Sequence, residues 1–318
     1  MGTLYVDRKD LHIKLNGNAL AFYSRGCHEG VVPVNPLKRV VIVGNVLIET
    51  PVLHKLASEN VSVVFLSGKR LHFSGMLHGR LHQNGILRVR QYEKTLGNAV
   101  VEMAKALVER KLAKQRAFIE EAKGGRPDLG MGLSAASKTL ERSAAALGDS
   151  AGLETIRGLE GAAAAAYFSA YIALFPSSLR FVKRTRRPPE DPVNALLSLC
   201  YTLLHYEMVR EIEMIGLDSV IGFYHQFEYG RESLACDLIE PYRPDVDRLV
   251  YELFRTRQFA ARDFSEDDDR PGCYLKKGGR KRFYPVYEEW ARQQRRLWAE
   301  EARTFARWIG DGQIALSE

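Results

Sequence analysis

Cysteine is scarce and scattered: Cys27, Cys200, Cys236 and Cys273 are the four in 318 residues, with no CxxC pair among them. That spacing excludes a disulfide framework and a zinc site of ordinary ligand spacing, and leaves reduced thiols. Long apolar runs are missing as well. No stretch of eighteen apolar residues occurs, so no membrane span is expected. The opening MGTLYVDRKD has no apolar signal-peptide core, which points to the cytoplasm. There is no P-loop, no GxGxxG run and no internal repeat, which sets aside the common nucleotide-binding folds and solenoids. Tryptophan is limited to three residues, Trp290, Trp298 and Trp308, all in one apolar helical pattern from Pro285 to Ile309. Core packing, not base stacking, is the expectation there.

What is present is an ordinary globular composition, 46% hydrophobic and 27% charged, with a net charge of +7. The positive balance favours a polyanionic partner, nucleic acid before membrane. The fold class expected is α+β, a small N-terminal β-rich domain over residues 1–88 followed by a larger all-α domain over 89–318. Runs at Leu4 to Val6, His12 to Leu15, Ala19 to Tyr23, Val31 to Val34, Arg39 to Val43, Val61 to Leu66 and Arg70 to Leu77 read as strands, with Asn16-Gly17 as a hairpin signal and Ser67-Gly68-Lys69 as a turn. Between them Thr50 to Asn60 reads as one short helix, with Thr as its N-cap and Pro51 at its first position. Near Gln91 the period changes from two to about 3.6. Val100 to Ala122 becomes a long amphipathic helix on Val101, Ala104, Leu107, Val108, Leu112 and Phe118, and Ser134 to Leu147 resumes the pattern.

The stretch Gly222 to Pro244, GFYHQFEYGRESLACDLIEPYRP, organises the rest. His225 sits in a Gly-bounded loop. Asp237 and Glu240 follow at i and i+3, on one face of a helical turn in an apolar segment. A buried carboxylate needs a compensating cation. An imidazole with two carboxylates suits Mg²⁺ or Mn²⁺; a core histidine beside a helix salt bridge is the equal alternative. Pro241 removes a helical N–H and is expected to bend the chain there. Glu160 lies at the start of the apolar helix within Ser150 to Pro176, where a first-turn acid on the helix dipole is the plain reading. The five alanines Ala162 to Ala166 imply close packing on all sides. Two basic stretches, Arg180 to Pro189 and Lys276 to Arg282, are either solvated surface or phosphate contacts. The acidic run Glu266 to Asp269 reads as solvated.

Four segments, GLEGAAAAAYF, RRPPEDPVNALLSLCYTLL, GLDSVIGFYH and DLIEPYRP, occur in this order between Leu153 and Asp247. Together they resemble the large integrase subunit of the CRISPR adaptation complex, an endonuclease/integrase family. VIVGNVLIETPVLHKLASENVSVVFLSGKRLHFSGML is similar to that family's N-terminal β-domain, and DF…YLKKGGRKRF to its C-terminal segment. The resemblance implies that Glu160, His225 and Glu240 bind Mg²⁺ or Mn²⁺, and that Asp237 supports them as a fourth catalytic-site residue. It implies insertion of captured DNA into a repeat array by 3′-hydroxyl transesterification, a homodimer formed by the β-rich domain, and a small ferredoxin-like adaptation subunit that joins two dimers into a heterohexamer around DNA. Candidate DNA contacts are Arg180, Lys183, Arg184, Arg186, Arg187, Arg243, Lys276, Lys277, Arg280, Lys281 and Arg282. The rival expectations are a branched-DNA nuclease outside adaptation, and a non-catalytic DNA-binding scaffold whose acids and histidine are structural.

Overall fold

The computed structural model describes residues 2–67, 71–79, 85–150, 152–225, 227–267 and 270–311. The fold is α+β and divides into two compact units. Residues 1–83 with 284–292 form one, and residues 84–283 with 293–318 the other. The division therefore falls at 83/84, before the expected 88, because residues 85–88 already belong to a helix of the second unit. The first unit also reclaims a stretch of the last helix.

In the first unit, β-branched and apolar residues at alternate positions make two four-stranded sheets. β1 (Gly2–Val6), β5 (Leu37–Val43), β7 (Ser62–Ser67) and β8 (His72–Leu77) lie in the order β1-β5-β7-β8, while β2 (Leu11–Asn16), β3 (Ala19–Ser24), β4 (Cys27–Pro33) and β6 (Val46–Ile48) lie as β4-β3-β2-β6. The β2–β3 pairing closes Asn16 against Ala19, so the two turn residues are Gly17 and Asn18, with Asn16 still in the strand. Gly17 takes the positive φ of 57° that the first turn position demands. β5 and β7 are parallel, which requires a crossover, and α1 (Thr50–Ser58) supplies it. Its N-cap is Glu49, without a side-chain cap bond, so Thr50 and Pro51 are the first two helical residues. The core joins both sheets and α1 through Ile13, Leu20, Val40, Ile42, Val52, Leu56 and Val63. The Ser67-Gly68-Lys69 turn and the end of the acidic run at 268–269 lie outside the described residues.

The second unit is helical: α2 (Gly85–Thr95), α3 (Ala99–Gly125), α4 (Gly130–Leu147), α5 (Leu153–Ala173), α6 (Pro192–Ile215), α7 (Ser233–Ile239) and α8 (Arg243–Arg255), then the hairpin β9 (Phe264–Asp267) and β10 (Arg270–Leu275), then α9 (Lys277–Asp311). One two-stranded sheet thus stands in a unit expected to be all helix. α9 begins eight residues before Pro285 and carries that proline inside it, so the second basic run is helical from Lys277 onward. α3 buries a stripe of Ala104, Leu107, Val108, Leu112, Phe118 and Ile119 against its neighbours. That stripe also contains Lys111 and Gln115. Among the described residues no helix is long and apolar enough to cross a membrane. Trp298 and Trp308 are buried, as core residues should be.

Candidate active site

The site begins with a turn. α6 ends at Gly216, whose φ of 96° is left-handed, and the chain then loops back over α7. Gly222 makes that approach possible. A Cβ there would lie 2.7 Å from the Ser233 backbone carbon and 2.9 Å from Asp237 Oδ2. Asp237 is fully buried and replaces a strand partner for the loop. Its Oδ2 accepts the Phe223 N–H at 2.6 Å and the Tyr224 N–H at 3.0 Å. Its Oδ1 accepts the His225 N–H at 2.8 Å and lies 2.7 Å from His225 Nδ1. A carboxylate only accepts, so Nδ1 carries the proton and Nε2 presents a lone pair. Asp237 does not itself line the adjacent cavity; it acts by setting His225.

Glu240 follows one turn later, where Glu240–Tyr242 tightens into a 3₁₀ turn with Pro241 near its start. The bend expected from Pro241 is this turn. Glu160 reaches the same place from α5, but from the third turn of that helix, not its first, so the helix-dipole reading does not hold. Gly161, Ala162 and Ala165 beside it are exposed, which corrects the expectation that the alanines pack on every side. Only Ala163 of the five is fully enclosed.

Between the two glutamates stands a residue the sequence reading did not select. Lys111 Nζ donates to Glu160 Oε1 at 2.5 Å and to Glu240 Oε2 at 2.6 Å. Glu240 Oε1 accepts from Arg243 Nε at 2.7 Å and lies 4.0 Å from His225 Nε2. Burial opposes the charge on Glu240, but Arg243 and Lys111 outweigh it and hold the carboxyl well below the usual range. Burial also opposes the charge on Lys111, and Glu240 and Glu160 more than restore it. Tyr224 leans its hydroxyl toward Glu160 Oε2 at 3.4 Å. Among the described residues no three His, Cys, Asp or Glu side chains already stand at metal-holding separations. The donors converge on one cavity, and Lys111 occupies the gap between them.

That cavity has a volume of about 450 Å³, and five arginines, Arg157, Arg184, Arg186, Arg231 and Arg243, line it together with Lys111, Glu160, His225 and Glu240. Two of the arginines share one aromatic ring. Arg184 and Arg243 lie 5.5 and 4.8 Å from the Tyr201 ring centroid. Arg184 Nη1 also donates to Asn194 Oδ1 at 2.7 Å. Asn194 is itself held by Asp191, which caps α6, so the RRPPEDPVN segment is a clamp on Arg184. Behind Tyr201 lies Asp247, 1% exposed. It accepts from the Tyr201 hydroxyl and, at 2.9 Å, from the Tyr167 hydroxyl.

Of the candidate DNA contacts, the structure brings Arg184, Arg186 and Arg243 to the cavity. Arg180, Lys183 and Arg187 are exposed elsewhere on the same loop, with Lys183 3.7 Å from Glu190. In the second run Lys276, Lys277, Lys281 and Arg282 are exposed. Arg282 pairs with Asp263 at 2.7 Å. Arg280 must be removed from the list: it is buried, and its Nη1 donates to the Leu275 carbonyl at 2.9 Å. Helical periodicity from Lys277 turns that side chain inward. Lys111, Gln115, Arg157, Tyr201, Tyr224, Arg231 and Asp247 were missed. The available signal was the pair of polar residues, Lys111 and Gln115, in an otherwise apolar α3 stripe.

A family model described as CRISPR associated protein Cas1 matches residues 4–289. The CRISPR-associated endonuclease Cas1 1 of Thermodesulfovibrio yellowstonii is 53% identical over 310 residues, covering 97% of each chain. The CRISPR-associated endonuclease Cas1 2 of Rhodospirillum rubrum is 33% identical over 93% of this chain and 88% of its own. Among solved structures, a Cas1 protein from Thermotoga maritima gives a TM-score of 0.85 at 24% identity, with both chains covered completely. A casposase bound to integration product gives 0.83 at 21% identity, over 100% of this chain and 93% of that one. At those identities the likeness is one of fold. With one model spanning nearly the whole length and a relative more than half identical from end to end, the chain belongs to the CRISPR-associated protein Cas1 family.

Proposed function

We propose that this chain is a divalent-metal-dependent DNA endonuclease and strand-transfer integrase that inserts captured DNA into a repeat array. The observation that carries the reading is the convergence of Glu160, Glu240 and the Nε2 of His225 on one cavity that five arginines and Lys111 also line. Two carboxylate oxygens and one neutral imidazole fit Mg²⁺ or Mn²⁺ in kind. The name of the 53% identical relative, an endonuclease, supports the nuclease half. A casposase of the same fold bound to integration product supports the transfer half.

An ion held by Glu160, Glu240 and His225 would supply Lewis acidity at a phosphoryl oxygen. The protein's own part is positioning. Arg243, held against Tyr201, is placed to donate to a non-bridging oxygen of the phosphate, and Arg184 on the same ring adds its positive charge. In the transfer step a DNA 3′-oxygen forms a bond to the target phosphorus while the target strand's own 3′-oxygen leaves. One proton departs the attacking hydroxyl and one reaches the leaving oxygen, so the count of phosphodiester bonds is unchanged. Water in place of the 3′-hydroxyl gives cleavage. Asp237 keeps the His225 ring from turning its protonated nitrogen toward the cavity.

The partners in this proposal are DNA, a second copy of the chain, and a small ferredoxin-like adaptation subunit that completes a heterohexamer. A likeness in fold to the Cas6-RT-Cas1–Cas2 complex supports such assembly, at a TM-score of 0.83 and 22% identity. The test is transfer of a labelled short duplex with 3′-hydroxyl ends into a supercoiled repeat plasmid, with Mn²⁺, Mg²⁺ or EDTA, with and without the partner. Metal-dependent transfer that disappears in a still-folded Glu160→Gln supports the reading. Cleavage of branched DNA with no transfer would return it to a nuclease, and binding with neither activity to a scaffold.

A further inference from the structure

We infer that Lys111 and a divalent ion compete for the same carboxylate oxygens, and that Gln115 receives the lysine ammonium when the ion binds. This rests on the metal reading of Glu160 and Glu240 given above. The Lys111 nitrogen is 2.5 Å from one oxygen of Glu160 and 2.6 Å from one oxygen of Glu240. An ion bound to the same two oxygens at about 2.0–2.2 Å would stand in the volume that the ammonium fills. Both cannot be there. The lysine thus holds two like charges together and sets how readily they accept a divalent cation.

The second observation is one helical turn away. Gln115 follows Lys111 at i+4 on α3, the spacing that brings side chains side by side on one face. It is 2% exposed and lines the same cavity. Its Oε1 accepts no hydrogen bond from any described residue, although a buried carbonyl oxygen ordinarily has a donor. A lysine side chain has four rotatable bonds and three N–H donors. Turning it from the glutamates toward Gln115 gives the ammonium an acceptor and leaves the two glutamate oxygens free, while its charge stays in the cavity beside the phosphate seat.

The inference is tested by Mn²⁺ binding to the full chain, measured by calorimetry and by loss of the free-ion paramagnetic resonance signal, with no DNA and no turnover. Wild type is compared with Lys111→Met, Lys111→Arg, Gln115→Leu and the Lys111→Met/Gln115→Leu pair. Lys111→Met is expected to bind Mn²⁺ tenfold tighter or more. Lys111→Arg keeps the competing charge and is expected to bind no more tightly than wild type. Gln115→Leu removes the alternative acceptor and should weaken binding several-fold. The pair should match Lys111→Met alone, because Gln115 acts only through the lysine. Unchanged or weaker binding in a folded Lys111→Met overturns the inference, and so does an equal Gln115→Leu effect with and without Lys111. If Lys111→Met does not fold, the direction of the Gln115→Leu shift decides. A wild-type chain with no Mn²⁺ binding that Glu160→Gln removes overturns the metal reading itself, and the competition with it.

Discussion

Replacing Asp237 by Asn changes one oxygen to an NH₂ and little else in shape, which makes it a sharp probe of the His225 loop. The wild-type carboxylate takes four donors: the backbone N–H groups of Phe223, Tyr224 and His225, and the His225 Nδ1–H. An amide can satisfy one side of that arrangement with its carbonyl. On the other side its NH₂ must face two donors, and two hydrogen bonds to a charged acceptor are lost. At about 1.5–3 kcal/mol each, the loss comes to about 3–6 kcal/mol, a large share of the total for an ordinary domain. Equilibrium unfolding in guanidinium chloride, followed by tryptophan fluorescence, measures it directly. Strand transfer should fall as well, since Asp237 Oδ1 is the acceptor that fixes the imidazole proton on Nδ1. A loss below about 1 kcal/mol with an unchanged denaturant slope would refute this account, because it would mean the loop does not depend on the carboxylate.

Two further outcomes follow from the charges. Burial lifts the Asp247 carboxyl to about 6 against an ordinary 3.8. Its folded form therefore binds the proton more tightly, so the stability it contributes is present below about pH 4 and is lost as the pH rises through 6. The difference is about 3 kcal/mol at most over those two units. Asp247→Asn should gain relative to wild type between pH 4 and pH 6.5 in urea unfolding, and parallel profiles would refute the assignment. On the basic face of α9, Lys277→Ala with Lys281→Ala should lower the slope of log affinity against log salt for duplex DNA by about 2, if each contacts one phosphate. Arg280→Ala should leave that slope alone and lower the unfolding midpoint; the opposite pattern would place Arg280 on the DNA.

The parts of the fold that were legible in the sequence are those fixed by local period. Alternating residues gave the strands around Ile13, Val41 and Val64, and the 3.6 period gave α3 and α4. The Gly222 to Pro244 stretch was legible for a different reason. Its histidine, acids and glycines lie within twenty residues, and the loop closes on itself through Asp237. Glu160 was selected by resemblance, and its place in the third turn of α5 was not visible in spacing alone. Lys111 was not legible at all. Its two partners are 49 and 129 residues away in the chain, and a lysine inside a helix is ordinarily solvated. What marks it is its place in the α3 stripe, where apolar side chains stand on either side. Arg280 failed in the opposite direction: a run of basic residues was treated as one surface, although a helix points every third or fourth side chain inward.

The carboxylate that braces the His225 loop also alters how the loop exchanges its amide hydrogens. Loop amides usually face water and exchange quickly, whereas those of Phe223, Tyr224 and His225 all donate to Asp237. Their release requires one event, separation of the loop from α7, so they should exchange slowly and as a group. Three neighbouring amides thereby become an internal indicator of whether the site is assembled, readable in the resting protein with no DNA, no partner and no turnover.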